Sequence, residues 1–436
     1  MTRVAIVGAG QAGLQLAFDL LKRGVEKGIE VLLISNRAAA EVKSGSIMST
    51  QGMFDTALHH ERRLGINFFD AHCPRNTSVT FSIAEPAKPV KAIHWQGETR
   101  APFQAVDQRL KFSRWMDEFQ ARGGLLRIQD VKPEDLNTLS EESDLLIVAG
   151  GKSDISSQFQ RDEAKSTYKN PQRVLSAMYV HGMEPATKPG VRANLIPGVG
   201  EYFCMPGLTL SGPCEMMLFE GIPGGPLDCW KRAESSEEHI ALAKQLLRRF
   251  VPWEAERCSK IVLTDNKAIL RGQYTPVIRK PFIRLPNKKL ALGIGDIVIL
   301  NDPIAGQGAN NASRAAAFFA NEIINRESRI YDEEWMLTAS EKFWQQEARW
   351  STMWTNLLLE PPAKHVLDLL SAAQEIPSVA NYLAQAFENP ISMFPLILSP
   401  KLTSEFIDKM RKAHEADAEF HNYATIENSL PRGFIA

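Results

Sequence analysis

The stretch Arg3-Val4-Ala5-Ile6-Val7-Gly8-Ala9-Gly10-Gln11-Ala12-Gly13 decides the fold. Arg3 to Val7 reads as a short buried strand that runs at once into a complete Gly-x-Gly-x-x-Gly. Behind it, Leu14, Ala17, Phe18 and Leu21 fall on one face at helical spacing, and Gly24 stands where a helix would end. A second strand, Glu30 to Ser35, is apolar from Val31 to Ile34, as a strand covered on both faces should be. Gly8 permits the tight turn, Gly10 lets the backbone approach a pyrophosphate, and Gly13 lets the helix pack close to the sheet. The helix N-terminus offers unpaired N–H groups and a positive dipole end, so Gly8, Gly10, Gln11, Ala12 and Gly13 are the expected phosphate cradle. The strand–turn–helix–strand context that the motif requires is complete, and it predicts dinucleotide binding. The acidic residue expected after the second strand is absent, and Ser35-Asn36-Arg37 stands there. Asn36 can still bond a ribose hydroxyl, and Arg37 could face adenine or a phosphate. The motif alone therefore leaves NAD, NADP and FAD open.

The rest of the composition narrows the class. The chain has 436 residues, 44% hydrophobic and 23% charged, enough for a large core and two or three domains. Lys plus Arg is 50 against 51 Asp plus Glu, with no basic stripe, which argues against a nucleic-acid partner. No apolar run approaches the ~18 residues of a membrane span, and the first residues show no signal-peptide anatomy. Five cysteines without any Cys-x-x-Cys fit reduced thiols in a cytoplasmic protein rather than disulfides or a zinc site. His59-His60-Glu61 and His72-Cys73 are adjacent pairs without metal-ligand spacing. Gly151-Lys152-Ser153 resembles the end of a P-loop, but Leu146 stands where its first glycine belongs.

The region from Leu285 to Ala320 extends the cofactor reading. Lys289 to Asp296 is an apolar strand ending in Gly295-Asp296, followed by Pro303-Ile304-Ala305-Gly306-Gln307-Gly308-Ala309-Asn310 and a helical run from Asn311 to about Asn325. The Asp296 carboxylate can accept from ribitol hydroxyls, and the second helix N-terminus can face a flavin ring edge. Two such elements nearly 290 residues apart fit FAD lying across the domain.

These stretches resemble the FAD fingerprints of the flavoprotein aromatic hydroxylase superfamily. Three segments are similar to the oxygenase component of two-component styrene and indole monooxygenases: Ala105 to Leu110, Asp144 to Lys152, and Gly295-Asp296 through Asn310. They occur in that family's order and near its spacing, from residue 3 to about residue 360. The resemblance implies an enzyme that epoxidises indole or a styrene-like alkene. Reduced FAD would arrive as a diffusible cosubstrate from a separate NADH-dependent flavin reductase and react with O2 to a C4a-hydroperoxide, with no acid–base pair needed. It also implies that Arg109 contacts the ribityl–pyrophosphate region, that Val131 and the Ala149-Gly150 turn lie near adenine, and that Asp296 holds ribitol. Pro303 and Ile304 would line the ring near the reacting carbon, with Gly306, Gln307, Gly308 and Asn310 completing the flavin side.

For the substrate, Ser49, Gln51 and Met53 look like the indole-type subgroup. Gln51 offers donor and acceptor capacity for an indole N–H, and Met53 an adaptable apolar contact. Phe103 departs from the small residue expected, which bears on pocket width. A single-component NAD(P)H-dependent aromatic hydroxylase and a flavin-free binding protein of the same fold are the competing readings.

The expected architecture is α/β, a Rossmann-like FAD-binding domain with an inserted, mostly antiparallel substrate domain and a helical C-terminal region. The cofactor domain would comprise residues 1–155 and 276–328, the insert 156–275, and the helical region 329–436. The stripe of Trp335, Phe343, Trp344, Trp350 and Trp354 reads as core or subunit contact, which leaves a homodimer open.

Overall fold

Val4, Ala5, Ile6 and Val7 are all buried, and the first strand, Thr2–Val7, sits in the middle of a six-stranded sheet. The computed structural model describes residues 2–429 except 86, 87, 89, 151–153, 328 and 329. The Gly151-Lys152-Ser153 segment thus lies outside the described residues. Thr2–Val7 pairs in parallel with Ile29–Ser35 on one side and Leu145–Val148 on the other. Leu290–Gly293 and Leu125–Ile128 extend the sheet in parallel, and Phe282–Arg284 closes one edge antiparallel. One face is covered by helices Gln11–Arg23, Gln108–Ala121 and Gly308–Ile324. There Phe18 meets Trp115 and Phe119 edge-on, at centroid distances of 6.2 and 5.5 Å. Gln15 Nε2 donates to the Ser313 carbonyl at 2.8 Å, which ties the first helix to the last of the three.

The second sheet has eight strands, antiparallel except where Asn76–Ala84 lies parallel to Gly190–Ile196. It is not confined to residues 156–275, because Asn76–Ala84 and Lys91–Phe103 come from within the first 155 residues. Side chains alternate across strands Gly200–Thr209 and Gly212–Gly221. Tyr202, Cys204, Met217 and Phe219 join a core under the helix Ser236–Phe250. Phe203, Met205, Met216 and Leu218 point the other way.

The C-terminal helices pack on Lys91–Phe103 at Gly97, where an added Cβ would stand 2.0 Å from the Ala380 carbonyl oxygen. Trp335, Phe343 and Trp354 are buried, so these members of the stripe are core. All five cysteines are free and buried. No helix among the described residues is long and apolar enough to cross a membrane.

Candidate functional site

Three strand ends of the parallel sheet converge on one cradle. The Gly8 N–H donates to the Ile34 carbonyl at 2.8 Å, Ala149 N–H to Val7 at 2.8 Å and Ile294 N–H to Val148 at 2.9 Å. Gly8 has φ +115°, and a Cβ there would lie 2.8 Å from the Gly150 nitrogen. At Gly13 a Cβ would stand 1.9 Å from the Gly8 carbonyl oxygen, so the helix can close on the turn only without a side chain. Gly10 and Gly150 differ, because their missing side chains would point into open space. Gly10 caps the helix with no side-chain bond to the first-turn amides, and no acidic residue stands in that turn. A helix end with unpaired N–H groups and open space before it fits the phosphates of a dinucleotide.

The neighbouring positions extend the cradle along the sheet. Gly295 lies beside Ala12, 3.1 Å from its Cβ to an added Cβ, and half-buried Asp296 follows. Val131 is packed in the same cluster as Val7, Ile34 and Val148. Asn36 is exposed, and half-buried Arg37 reaches Met48 Sδ at 3.3 Å.

Other expected cofactor contacts are spent elsewhere. Arg109 is 1% exposed and clasped by Asp107 and Asp265, with Gly45 O at 3.3 Å taking a further N–H. All five guanidinium donors have protein partners, so in this structure the Arg109 side chain serves an internal ion pair. The Gln11 side chain turns to Gln15 and Glu61, at 2.9 and 3.1 Å, which leaves its backbone for the cradle. Asn310 is fully buried; its Oδ1 accepts from Phe54 N–H at 3.0 Å, and its Nδ2 donates to Gly52 and Gly306 carbonyls at 2.8 and 2.9 Å. Gln307 Nε2 donates to Ala305 O at 3.1 Å and Phe387 O at 2.8 Å. The two amides of this motif are clips that hold the Pro303–Ala305 turn against its neighbours.

That turn forms one wall of an apolar cavity of about 80 Å³. The sheet face supplies Phe203, Met205, Met216 and Leu218, and Phe103, Pro303 and Ile304 close it from other sides. Thr50, Gly52 and Phe54 line it, whereas Ser49, Gln51 and Met53 do not. The segment places alternate side chains on opposite sides, so the Ser49, Gln51 and Met53 side chains lie on the side away from this cavity. Gln51 Nε2 donates to Val106 O at 3.1 Å and its Oε1 accepts from Gln108 at 3.1 Å. The Ser49 hydroxyl is bonded to Thr50 O and Gln108, and Met53 packs on Ala57 and Leu58. Cys204 borders the cavity only from within its strand, its side chain lying in the core on the other face of the sheet, where burial pushes the thiol far above its ordinary range. The lining residues that sequence reasoning missed lie mostly on the strands 190–196, 200–209 and 212–221, and Phe387 comes from the C-terminal helices. The strand members carry a period-two apolar signal, whereas nothing local marks Phe387.

Beside the turn lies a buried carboxyl group cluster. Glu220 is directly opposite Glu201 across the antiparallel pair. Arg173 bonds Glu201 at 2.7 and 2.8 Å, and Asp302, which accepts from Ile304 N–H at 3.2 Å, faces Glu220. Burial, then the charges of Asp302 and Glu201, lift the Glu220 carboxyl well above the usual carboxylate range.

Residues 151–257 match the family described as "Styrene monooxygenase A putative substrate binding domain". Styrene monooxygenase StyA of Pseudomonas fluorescens is 28% identical over 419 residues, covering 93% of this chain and 98% of that protein. StyA of Pseudomonas sp is 28% identical over 411 residues, covering 92% and 96%. Among solved structures, the flavin-dependent halogenase CmlS has a TM-score of 0.62 at 15% identity, covering 95% of this chain and 77% of that one. A triple mutant of the flavin-dependent brominase Bmp2 has a TM-score of 0.60 at 15% identity, covering 96% and 100%. These likenesses show the fold, and the expected α/β class with its Rossmann-like parallel sheet is borne out.

Proposed function

We propose that this chain is the oxygenase component of a two-component flavin-dependent monooxygenase that epoxidises a styrene-like aromatic alkene. Reduced FAD comes from a separate NADH-dependent flavin reductase. The observation that carries the reading is the apolar cavity walled by the Pro303–Ala305 turn, in a chain similar to StyA along nearly its whole length.

The cradle residues Gly8 to Gly13, the Ala149-Gly150 turn and Gly295-Asp296 would hold FAD, with phosphates at the N-terminus of Gln11–Arg23 and ribitol at Asp296. When bound, reduced FAD supplies the activation of O2. The chain's own contribution is placement and dryness. Phe103, Phe203 and Leu218 bind the ring by burial, at roughly 25 cal/mol per Å² of apolar surface. Asn310 and Gln307 fix the turn against which the double bond is held. No lining side chain offers a proton at neutral pH, so water exclusion rather than acid–base work is what the walls provide.

Because the Gln51 amide is engaged by Val106 and Gln108, a styrene-like hydrocarbon suits the cavity better than an indole read through its N–H. The test mixes purified protein with chemically reduced FAD, O2 and either styrene or indole. Styrene oxide is the expected product. Formation of indigo alone would restore the indole-type reading, and no product from either would refute the proposal. Bleaching of bound FAD by NAD(P)H without a reductase would instead mark a self-reducing hydroxylase.

A further inference from the structure

The inner cavity shares a partition with a second one. A polar cavity of about 650 Å³ lies between the helix Asp55–Leu64, the end of strand Lys91–Phe103 and the C-terminal helices, and its lining includes Asp55, Thr56 and Glu388. The inner cavity has Phe54 and Phe387 in its wall. Two short segments, 54–56 and 387–388, therefore put an aromatic ring on the inner side and polar side chains on the outer side. They are latched to each other: Thr56 N–H and hydroxyl both donate to Glu388 Oε1, at 2.8 and 2.7 Å.

The backbones of this partition are pinned by hydrogen bonds, whereas the Phe54 and Phe387 rings are held by packing alone. Phe387 O is held by Gln307, Glu388 O by Arg314 Nη2 at 2.7 Å, and Phe54 N–H by Asn310. The Phe387 ring is half-buried and meets Trp354 edge-on at 5.7 Å. Size makes movement necessary. A dry apolar cavity that accepts benzene measures ~150 Å³, and the inner cavity here is about 80 Å³. An aromatic guest needs about twice that room, so part of the wall must give to hold it. On the sheet side the wall is a continuous hydrogen-bonded ladder, whereas the partition is built of rotatable rings that back onto a cavity exposed to solvent at Gln385 and Ile391.

We infer that the outer cavity is the vestibule through which the aromatic alkene arrives, and that Phe387 is the specificity-determining residue at its inner door, latched by Thr56 and Glu388. The inference rests on the epoxidase reading. A substrate too bulky to pass the ring is refused at the door, so Phe387 acts on admission and pocket length rather than on oxygen transfer. Removing the latch frees the ring to swing without changing the cavity's lining.

The test compares styrene with 2-vinylnaphthalene in wild type, Phe387→Ala and Phe387→Leu, and follows binding of 2-vinylnaphthalene to Glu388→Ala by stopped-flow fluorescence. Phe387→Ala is expected to raise kcat/KM for the larger alkene at least tenfold relative to styrene, chiefly through KM, with Phe387→Leu intermediate. Glu388→Ala is expected to bind the probe several-fold faster. Should Phe387→Ala fold poorly, the leucine variant and the association rate still decide. Wild-type turnover of styrene with the size preference and the association rate both unmoved would overturn the door while leaving the epoxidase reading intact. Absence of turnover by wild type would strike that reading instead.

Discussion

Replacing Phe103 by alanine asks whether the narrow cavity is set by this one ring. Phe103 is 1% exposed, packs on Phe54 at a centroid distance of 5.5 Å, and covers Gly52 so closely that an added Cβ there would lie 3.6 Å from the ring. Its loss removes buried apolar contact and leaves a void, which in well-packed cores costs about 3–5 kcal/mol. At roughly 2.1 cal/mol/K per residue, a chain of this length unfolds with an entropy on the order of 0.9 kcal/mol/K. The expected fall in Tm is then about 3–5 °C by scanning calorimetry. The freed space joins a cavity of about 80 Å³ and brings it to the order of the ~150 Å³ that holds benzene. Toluene at 100 times its Kd should then restore about 2.7 kcal/mol, while giving wild type much less. A Tm within 1 °C of wild type, or equal stabilisation of both proteins by toluene, would refute Phe103 as the wall that sets the width.

The glycines of the cradle divide into two kinds. Gly10→Ala is expected to weaken FAD binding at least tenfold in titrations while moving Tm little, because its Cβ meets no protein atom. Gly13→Ala is expected to lose about 1–3 kcal/mol of stability even without FAD, because its Cβ collides with Gly8. Asn310→Ala strands a buried N–H and two carbonyls; at about 1–3 kcal/mol for a stranded group, urea unfolding should show a loss of at least ~2 kcal/mol. Glu220 has a folded pKa above its unfolded one, so its contribution is present at low pH and lost as pH rises through the folded value. Glu220→Gln should therefore lose less stability than wild type as pH rises above the ordinary carboxylate range; parallel Tm curves would exclude a buried protonated carboxyl there.

How far the sequence could be read depended on the range of the interaction. The first strand, its helix Gln11–Arg23 with the stop at Gly24, and the second strand Ile29–Ser35 obey local patterning, and the structure forms them where that patterning puts them. Strands Asn76–Ala84 and Lys91–Phe103 join a sheet whose other members lie a hundred residues on, and no local pattern names such a partner. In the site, Phe103, Pro303 and Ile304 line the cavity, but Ser49, Gln51 and Met53 face away from it. A one-residue offset in an extended segment reverses every side chain, and residue type alone cannot fix it. Arg109, Gln307 and Asn310 carry chemistry suited to a ligand, yet their donors go to Asp107 and Asp265, to Phe387, and to Gly52 and Gly306. Only three-dimensional neighbours decide between those uses.

The burial of the five cysteines has a practical consequence. Burial pushes the Cys73 and Cys258 thiols up to about 11, and lifts those of Cys204 and Cys214 further. At neutral pH only about one molecule in ten thousand would carry a reactive thiolate at Cys73 or Cys258. The native chain should be nearly silent to maleimides and slow to oxidise in air. A single Ile391→Cys substitution, on an exposed wall of the outer cavity and away from the latch, would then supply the one quickly labelled position, and a dye attached there could report the opening of the vestibule without removing any native cysteine.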